Sequence, residues 1–365
     1  MKKLLALLLT LTMIAGLTAC GSSNAPSASS AAPAQSEAAS EPQAESETPA
    51  DNGAEEIAPP ASPYKYSMAS GSVGGNFYLM GGGIAQVINQ HLPEYFMFTS
   101  ETTGGSTANL SMLQSGDAEL GISMTASLGE SQKGEVEWTA GVKHDKLRGA
   151  LALYPSWLTI YTLEGSGIET MADLEGKIVG LGSKGMAMDT IFRQFFEDRG
   201  ITPKQIHNDG HAATATALGN GVIDAAILFS FPPFAAISEL ESTKNLKFIA
   251  LNDDEQKYLT DTYDFYKADA MPGGSYKGAP EDVQGVSEWN MLVSSVDVPE
   301  EQVYLMVKAL CENQADMIAV HHSAEYMTAQ NTLNFNIPLH AGTVRYLKEI
   351  GIDVPTELVP PEYAE

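Results

Sequence analysis

Two glycine-rich loops early in the globular part of the sequence carry residue types suited to holding a small anion. One runs from Ser67 to Tyr78 (SMASGSVGGNFY), between an extended apolar run and a helix expected to begin near Met80. The other runs from Thr102 to Asn109 (TTGGSTAN), again after an extended run and with a hydroxyl at the expected helix start. Glycine lets backbone approach a ligand closely, and a helix N-terminus offers free N–H donors with a partial positive charge. Each loop alone also reads as an ordinary capped turn. Two of them in one half of an α/β chain favour a site, because ligands collect at the carboxyl ends of strands.

Other constellations carry less. Gly180 to Gly185 (GLGSKG) spells the dinucleotide glycine pattern after an apolar run, but the acid that should end a second strand about twenty residues on is missing. Glu197 and Asp198 fall there inside a helical pattern instead. His207 and His211 are separated by the helix-breaking Asn208-Asp209-Gly210, and with no third ligand placed they read as solvated or core residues. His321 and His322 adjoin one another without a partner set. Asp253-Asp254-Glu255 lacks the glycine and spaced acids of a calcium loop. No G-x-S-x-G elbow occurs, and Cys311 sits in an apolar helical stretch as a buried thiol. No catalytic residue, metal or cofactor is expected.

The elements that must position the loops alternate. Strand-length apolar runs recur at 66–68, 96–98, 120–122, 149–153, 158–161, 178–181, 225–229, 248–251 and 291–293. Helical periodicity marks 81–92, 106–114, 189–199, 212–220, 234–240, 300–320 and 339–350. Thr202-Pro203 reads as a helix start after the stop at Gly200, and Pro299 with Glu300 and Glu301 as another. Strands alternating with helices imply βαβ units and sheets covered on both faces.

Composition sets the setting. The 365 residues suggest about two domains at roughly 150 residues each, and 44% hydrophobic content can fill a core. A formal charge of −26 argues against binding nucleic acid, whose phosphates would repel it. Lys2 and Lys3 precede an apolar run through Ala15, too short to span a bilayer comfortably, which reads as an export signal over residues 1–19. The run ends Leu17-Thr18-Ala19-Cys20-Gly21, which resembles a bacterial lipobox, so Cys20 is expected to carry a lipid anchor. Residues 21–63 hold seven acids, no Lys or Arg, no aromatic and Ile57 as the lone large aliphatic, so 20–63 is expected to be a disordered, charge-extended tether. The expected location is the outer face of the cytoplasmic membrane.

From about residue 64 to 351 the sequence resembles the TAXI-type substrate-binding proteins of TRAP transporters. The resemblance is carried by Gly71 to Tyr78 with Gly81 to Ala85, by Thr103-Gly104-Gly105-Ser106 with Asn109, Leu110 and Leu113, by Gly176 to Gly182 and Leu218 to Ala226, by Pro232-Pro233, by Val303-Tyr304, and by His340 to Gly351. It implies an α/β, two-lobe periplasmic-binding-protein type II fold with a hinge and a central ligand cleft. Lobe I would comprise 64–155 plus 295–365, and lobe II 156–294. It further implies ligand contacts from Gly75, Asn76, Phe77, Tyr78, Thr103, Gly104, Ser106 and Asn109, with Ser183, Lys184 and Met186 from the second lobe. Lys184 suits a substrate carboxylate, or equally a surface position beside a turn. Thr125 follows Met124 where an Asp is common in the family, which puts an ammonium-binding role there in doubt, and Met186-Ala187-Met188 replaces the family's usual Ser-Gly-Thr with an apolar wall. The implied activity is capture of a small carboxylate-bearing solute, without catalysis, for delivery to a TRAP membrane permease. The rival class is a sensor subunit that uses the same cleft and docks on a membrane kinase.

Overall fold

The computed structural model describes residues 57–363; the expected signal segment, Cys20 and the tether as far as residue 56 lie outside the described residues. Within the remaining tether residues, Ile57 packs against the core and its carbonyl accepts from Tyr95 Oη at 2.6 Å. In chain order the body begins β1 (Tyr64–Ala69), α1 (Asn76–His91), β2 (Phe96–Glu101), α2 (Ser106–Ser115), β3 (Leu120–Met124) and α3 (Thr125–Lys133). It continues β4 (Leu147–Leu163), β5 (Ile178–Gly180), α4 (Ala187–Arg199), β6 (Gln205–His207), α5 (His211–Gly219) and β7 (Ala225–Ser230). It ends α6 (Ala235–Glu241), β8 (Leu246–Phe248), α7 (Asp253–Thr262), β9 (Lys267–Met271), β10 (Val283–Ser295), α8 (Glu300–Glu312), α9 (Gln314–Val320) and α10 (Ala341–Glu349).

The strands form one sheet in the order β2-β1-β3-β10-β4-β7-β5-β6, with β8 beside β4 and β9 beside β10. Two parallel groups have the same internal order, β2-β1-β3 and β6-β5-β7, and each is wound by the helices that follow its strands. Parallel strands need such crossovers, and the reversal of strand order opens a crevice at their carboxyl ends. The long antiparallel strands β4 and β10 join the groups, with β10 against β3 and β4 against β7.

Pro155 lies inside β4, where it removes a ladder donor. The β4–β10 register shifts beside it, between Asn290 and Met291, and Asn290 mends the gap: its Nδ2 donates to Tyr154 O at 3.0 Å and Ser156 Oγ at 2.8 Å. The sequence shows this strand as two apolar runs because Pro155 and Ser156 interrupt it, whereas burial of both faces makes it one.

Other boundaries differ from expectation. α1 starts four residues before Met80, because Gly75 holds an extended conformation as N-cap and Asn76 already bends into the helix. The segment 300–320 is two helices, broken at Asn313 (φ −115°, ψ 34°). Thr202-Pro203 opens no helix: Gly176 N–H donates to Thr202 O at 2.9 Å and Thr202 N–H to Glu175, tying the segment to the approach of β5, and β6 follows. α4 behaves as its pattern requires, burying Ile191, Phe192, Phe195 and Phe196 and stopping at Gly200 in the left-handed region (φ +67°). Among the described residues no helix is long and apolar enough to cross a membrane.

Candidate functional site

Helix starts from both parallel groups converge on one small cavity. Ser106 opens α2, Ala126 and Ser127 stand in the first turn of α3, Ala187 and Met188 begin α4, and His211 opens α5. With Met124, Met186, Phe229 and Glu288 these residues line the cavity. Each helix follows the carboxyl end of a parallel strand, β2, β3, β5 or β6, so the topology brings their N-termini to the crevice. None of them has a side-chain cap. Gly105, at φ +98° and ψ −157°, makes the turn that aims α2, a conformation closed to residues with a Cβ. The cavity measures about 20 Å³, room for about one water.

Glu288 is the acidic side chain in its lining. It projects from β10, is 2% exposed, and accepts from Ala126 N–H at 3.1 Å at the start of α3. Burial pushes its carboxyl up from 4.5 to about 8; the like charge of Glu130 adds to this, while the Ala126 N–H and Thr125 hydroxyl oppose it. His211 keeps a partly exposed ring edge, yet its Nδ1 is sealed from solvent with no partner, and burial lowers its pKa. Tyr266 stacks on Phe229 with ring centres 5.0 Å apart, and its buried hydroxyl also lacks a partner. An unpaired buried polar atom costs about 1–3 kcal/mol, so the site is incompletely satisfied in this form.

The residues singled out in the sequence distribute unevenly. Ser106 and Met186 line the cavity. Ser106 Oγ accepts from Met124 N–H at 3.1 Å, which leaves its own proton to donate. Thr125 is buried beside it, accepting Trp289 N–H at 3.3 Å on Oγ1. Thr103 donates to Asn109 Oδ1 at 2.5 Å and accepts Gly105 N–H at 3.1 Å, holding the loop together. Asn109 is fully buried, and its Nδ2 donates to the carbonyls of Ser70 and Ile122, each at 2.7 Å. Gly75, Asn76 and Phe77 are half-buried at the start of α1 with Tyr78 exposed beside them; Gly104, Ser183 and Lys184 are exposed on turns, and none of these seven lines the cavity.

Asn109 therefore ties β1 and β3 to α2. Asn109→Ala leaves two buried carbonyls unpaired and is expected to cost about 2–4 kcal/mol of folding stability, read as a lower urea midpoint; a loss under ~0.5 kcal/mol would show that the Asn109 network does not hold this corner.

Glu288, His211 and Phe229 were not marked as ligand contacts by the sequence, and Met188 was marked only as part of an apolar wall. The available signal for Glu288 was strand alternation: Val286, Glu288, Asn290 and Leu292 share one face of β10 and all but Glu288 and Asn290 are apolar. For His211 it was a helix start after Asn208-Asp209-Gly210.

A larger groove of about 520 Å³ lies elsewhere, lined by Glu164, Glu169, Glu241, Lys244, Lys247 and Lys277 among others. Lys247 pairs with Glu169 there, and Glu241 accepts the backbone N–H groups of Lys277 and Gly278. It has the character of a solvated cleft. Among the described residues no cluster of three or more His, Cys, Asp or Glu side chains is placed to hold a metal ion.

The chain belongs to the NMT1-like family, which it matches over residues 68–351. In structure it is similar to the probable amino-acid ABC transporter extracellular-binding protein ytmK of Bacillus subtilis, at 16% identity, 73% of this chain and 98% of that one, with a TM-score of 0.45. It is also similar to a chain from the glutathione import system of Streptococcus mutans, described with GshT and the cystine importer TcyBC, at 12% identity, 71% of this chain and 93% of that one, TM-score 0.46. A histidine kinase sensor domain with similarity to periplasmic binding proteins matches at 13% identity, 73% of this chain and 98% of that one, TM-score 0.44.

Proposed function

We propose that this protein is an extracytoplasmic receptor that captures a small carboxylate-bearing solute between two lobes, 64–155 with 295–365 and 156–294, and hands it to a TRAP-type permease without chemical turnover. The observation that carries this reading is the convergence of the α2, α3, α4 and α5 N-termini, all without side-chain caps, on one buried cavity. A helix start carries roughly half a positive charge and N–H donors, which favours a carboxylate at α2 and α5, while Glu288 takes the Ala126 N–H of α3 and Asp189 lies in the first turn of α4. The lining is otherwise Met124, Met186, Met188 and Phe229, which suits an apolar body behind the carboxylate. The first turn of α1 at Asn76–Tyr78 and the turn at Ser183–Lys184 would close over the mouth, and a lipid on Cys20 would hold the receptor at the outer face of the membrane.

The test is a thermal-shift screen of the full chain, unfolded and refolded to remove any co-purified ligand, against amino acids, dicarboxylates, 2-oxoacids and short branched acids. A ligand at a hundred times its dissociation constant adds about 2.7 kcal/mol of stability. The expected result is a clear shift with one carboxylate class, with Ser106→Ala weakening binding about tenfold through loss of one hydrogen bond. Absence of a shift with every compound overturns the receptor reading.

A further inference from the structure

An acid sealed inside a binding cavity must be explained by what it meets there. Glu288 is 2% exposed, lies on a strand that joins the two parallel groups, and lines the cavity beside Ser106 and Phe229. No Lys or Arg lines the cavity among the described residues. Its hydrogen-bond partners are the Ala126 N–H and the Thr125 hydroxyl, both at the start of α3. The remaining titratable groups facing this region are Glu130 on α3, Tyr263 and Tyr266 between α7 and β9, and His211 on α5, none of them a fixed cation. His211 in the same lining has a buried Nδ1 without a partner, so this end of the lining also holds an unsatisfied polar atom. A buried carboxyl in low dielectric stays neutral until a cation arrives, and an ammonium at hydrogen-bond distance reverses that balance.

We propose that Glu288 reads a protonated amine on the solute, so that the cleft takes a zwitterion with its carboxylate at the helix starts, and that seating the amine expels the Glu288 proton to solvent. This rests on the receptor reading above and specifies its ligand. The step balances: the solute keeps its ammonium, the Glu288 O–H bond breaks, and one proton leaves to buffer as a carboxylate–ammonium pair forms. Thr125 accepts the Trp289 N–H beside Glu288, so the carboxyl is the ionisable group of this corner. The methionine walls point to an apolar amino acid.

The experiment uses the full chain and paired probes that differ only in the amine: leucine with 4-methylpentanoate, methionine with 4-(methylthio)butanoate, and glutamate with glutarate. In calorimetric titrations at pH 7, at least one amino acid is expected to bind ten times or more tighter than its partner acid, with close to one proton released per solute, measured in two buffers of different ionisation enthalpy. From pH 6.5 to 7.5 its affinity should rise about tenfold, since Glu288 is half-protonated near 8. Glu288→Gln should abolish the proton release, the pH rise and the preference for the amine, whereas Glu130→Gln should keep all three. Equal binding of both members of every pair, or affinity that falls as pH rises, overturns the Glu288 assignment and leaves the carboxylate receptor standing. Binding by no member of any pair overturns the Glu288 assignment, and the wider screen above then decides the receptor reading. The proton count in the native protein needs no variant, so a misfolded Glu288→Gln leaves the assignment testable.

Discussion

Glu288→Gln is expected to stabilise the empty protein above neutral pH while changing little near pH 4. The carboxyl's ordinary value of 4.5 is raised to about 8, with burial the largest cause. Below about 4.5 the folded and unfolded chains both hold the proton, and nothing is lost. Between about 4.5 and 8 the unfolded chain releases it and the folded chain does not, so native stability drains away as pH rises. Above about 8 the folded state releases it too and the loss levels off. At 1.36 kcal/mol per pKa unit the full loss is on the order of 5 kcal/mol. Glutamine keeps the shape and an oxygen for the Ala126 N–H but carries no titrating proton. Denaturation of both proteins at pH 4.5, 6, 7.5 and 9 should show curves that separate steadily and then run parallel; curves parallel throughout would mean that Glu288 is not desolvated. With solute bound the order should reverse, because the variant binds it poorly.

Gly342→Ala is expected to be severely destabilising, by about 3–5 kcal/mol, more than the 1–3 kcal/mol usual for overpacking. A Cβ there would lie 2.2 Å from Glu300 O and 2.5 Å from Tyr304 N, both backbone atoms of α8. Backbone cannot rotate aside, so α10 must move off α8 as a body. That would strain the contacts that join them: Arg345 over the Tyr304 ring at 4.4 Å, Tyr304 Oη to Glu349 at 2.5 Å, and Lys308 to Glu349 at 2.7 Å. A urea midpoint within 1 kcal/mol of the native protein would show that the two helices have slack that their spacing does not suggest.

Much of the architecture was legible because local signals agree with the fold. Apolar runs bounded by turns gave most of the strands, and Gly200 marked the end of α4. What failed was long-range. β4 reads as two runs because Pro155 is a local breaker, and its continuity depends on Asn290, more than 130 residues away. α3 has no helical periodicity to speak of; Ser127, Ser131 and Thr125 are buried on it because β10 and α4 cover them. The site divides the same way. The loop Thr103–Ser106 is visible as a turn into a helix, yet the sequence cannot say that Asn109 turns inward to backbone carbonyls while Ser106 faces the cavity. Glu288 acquires its chemistry from burial against α3, where its partner Ala126 lies 162 positions earlier, and no spacing rule joins them.

A cavity with room for about one water has a thermodynamic consequence for any solute larger than that. The walls must part before it can enter, so the arrangement described here competes with binding. Every 1.4 kcal/mol by which the empty chain prefers this shut form weakens apparent affinity tenfold, in proportion to the fraction of molecules open at a given moment. On the proposed receptor reading, the contacts that hold the empty site shut would act as a threshold on solute concentration, and loosening them without touching the solute's own contacts would make the protein respond at lower concentrations.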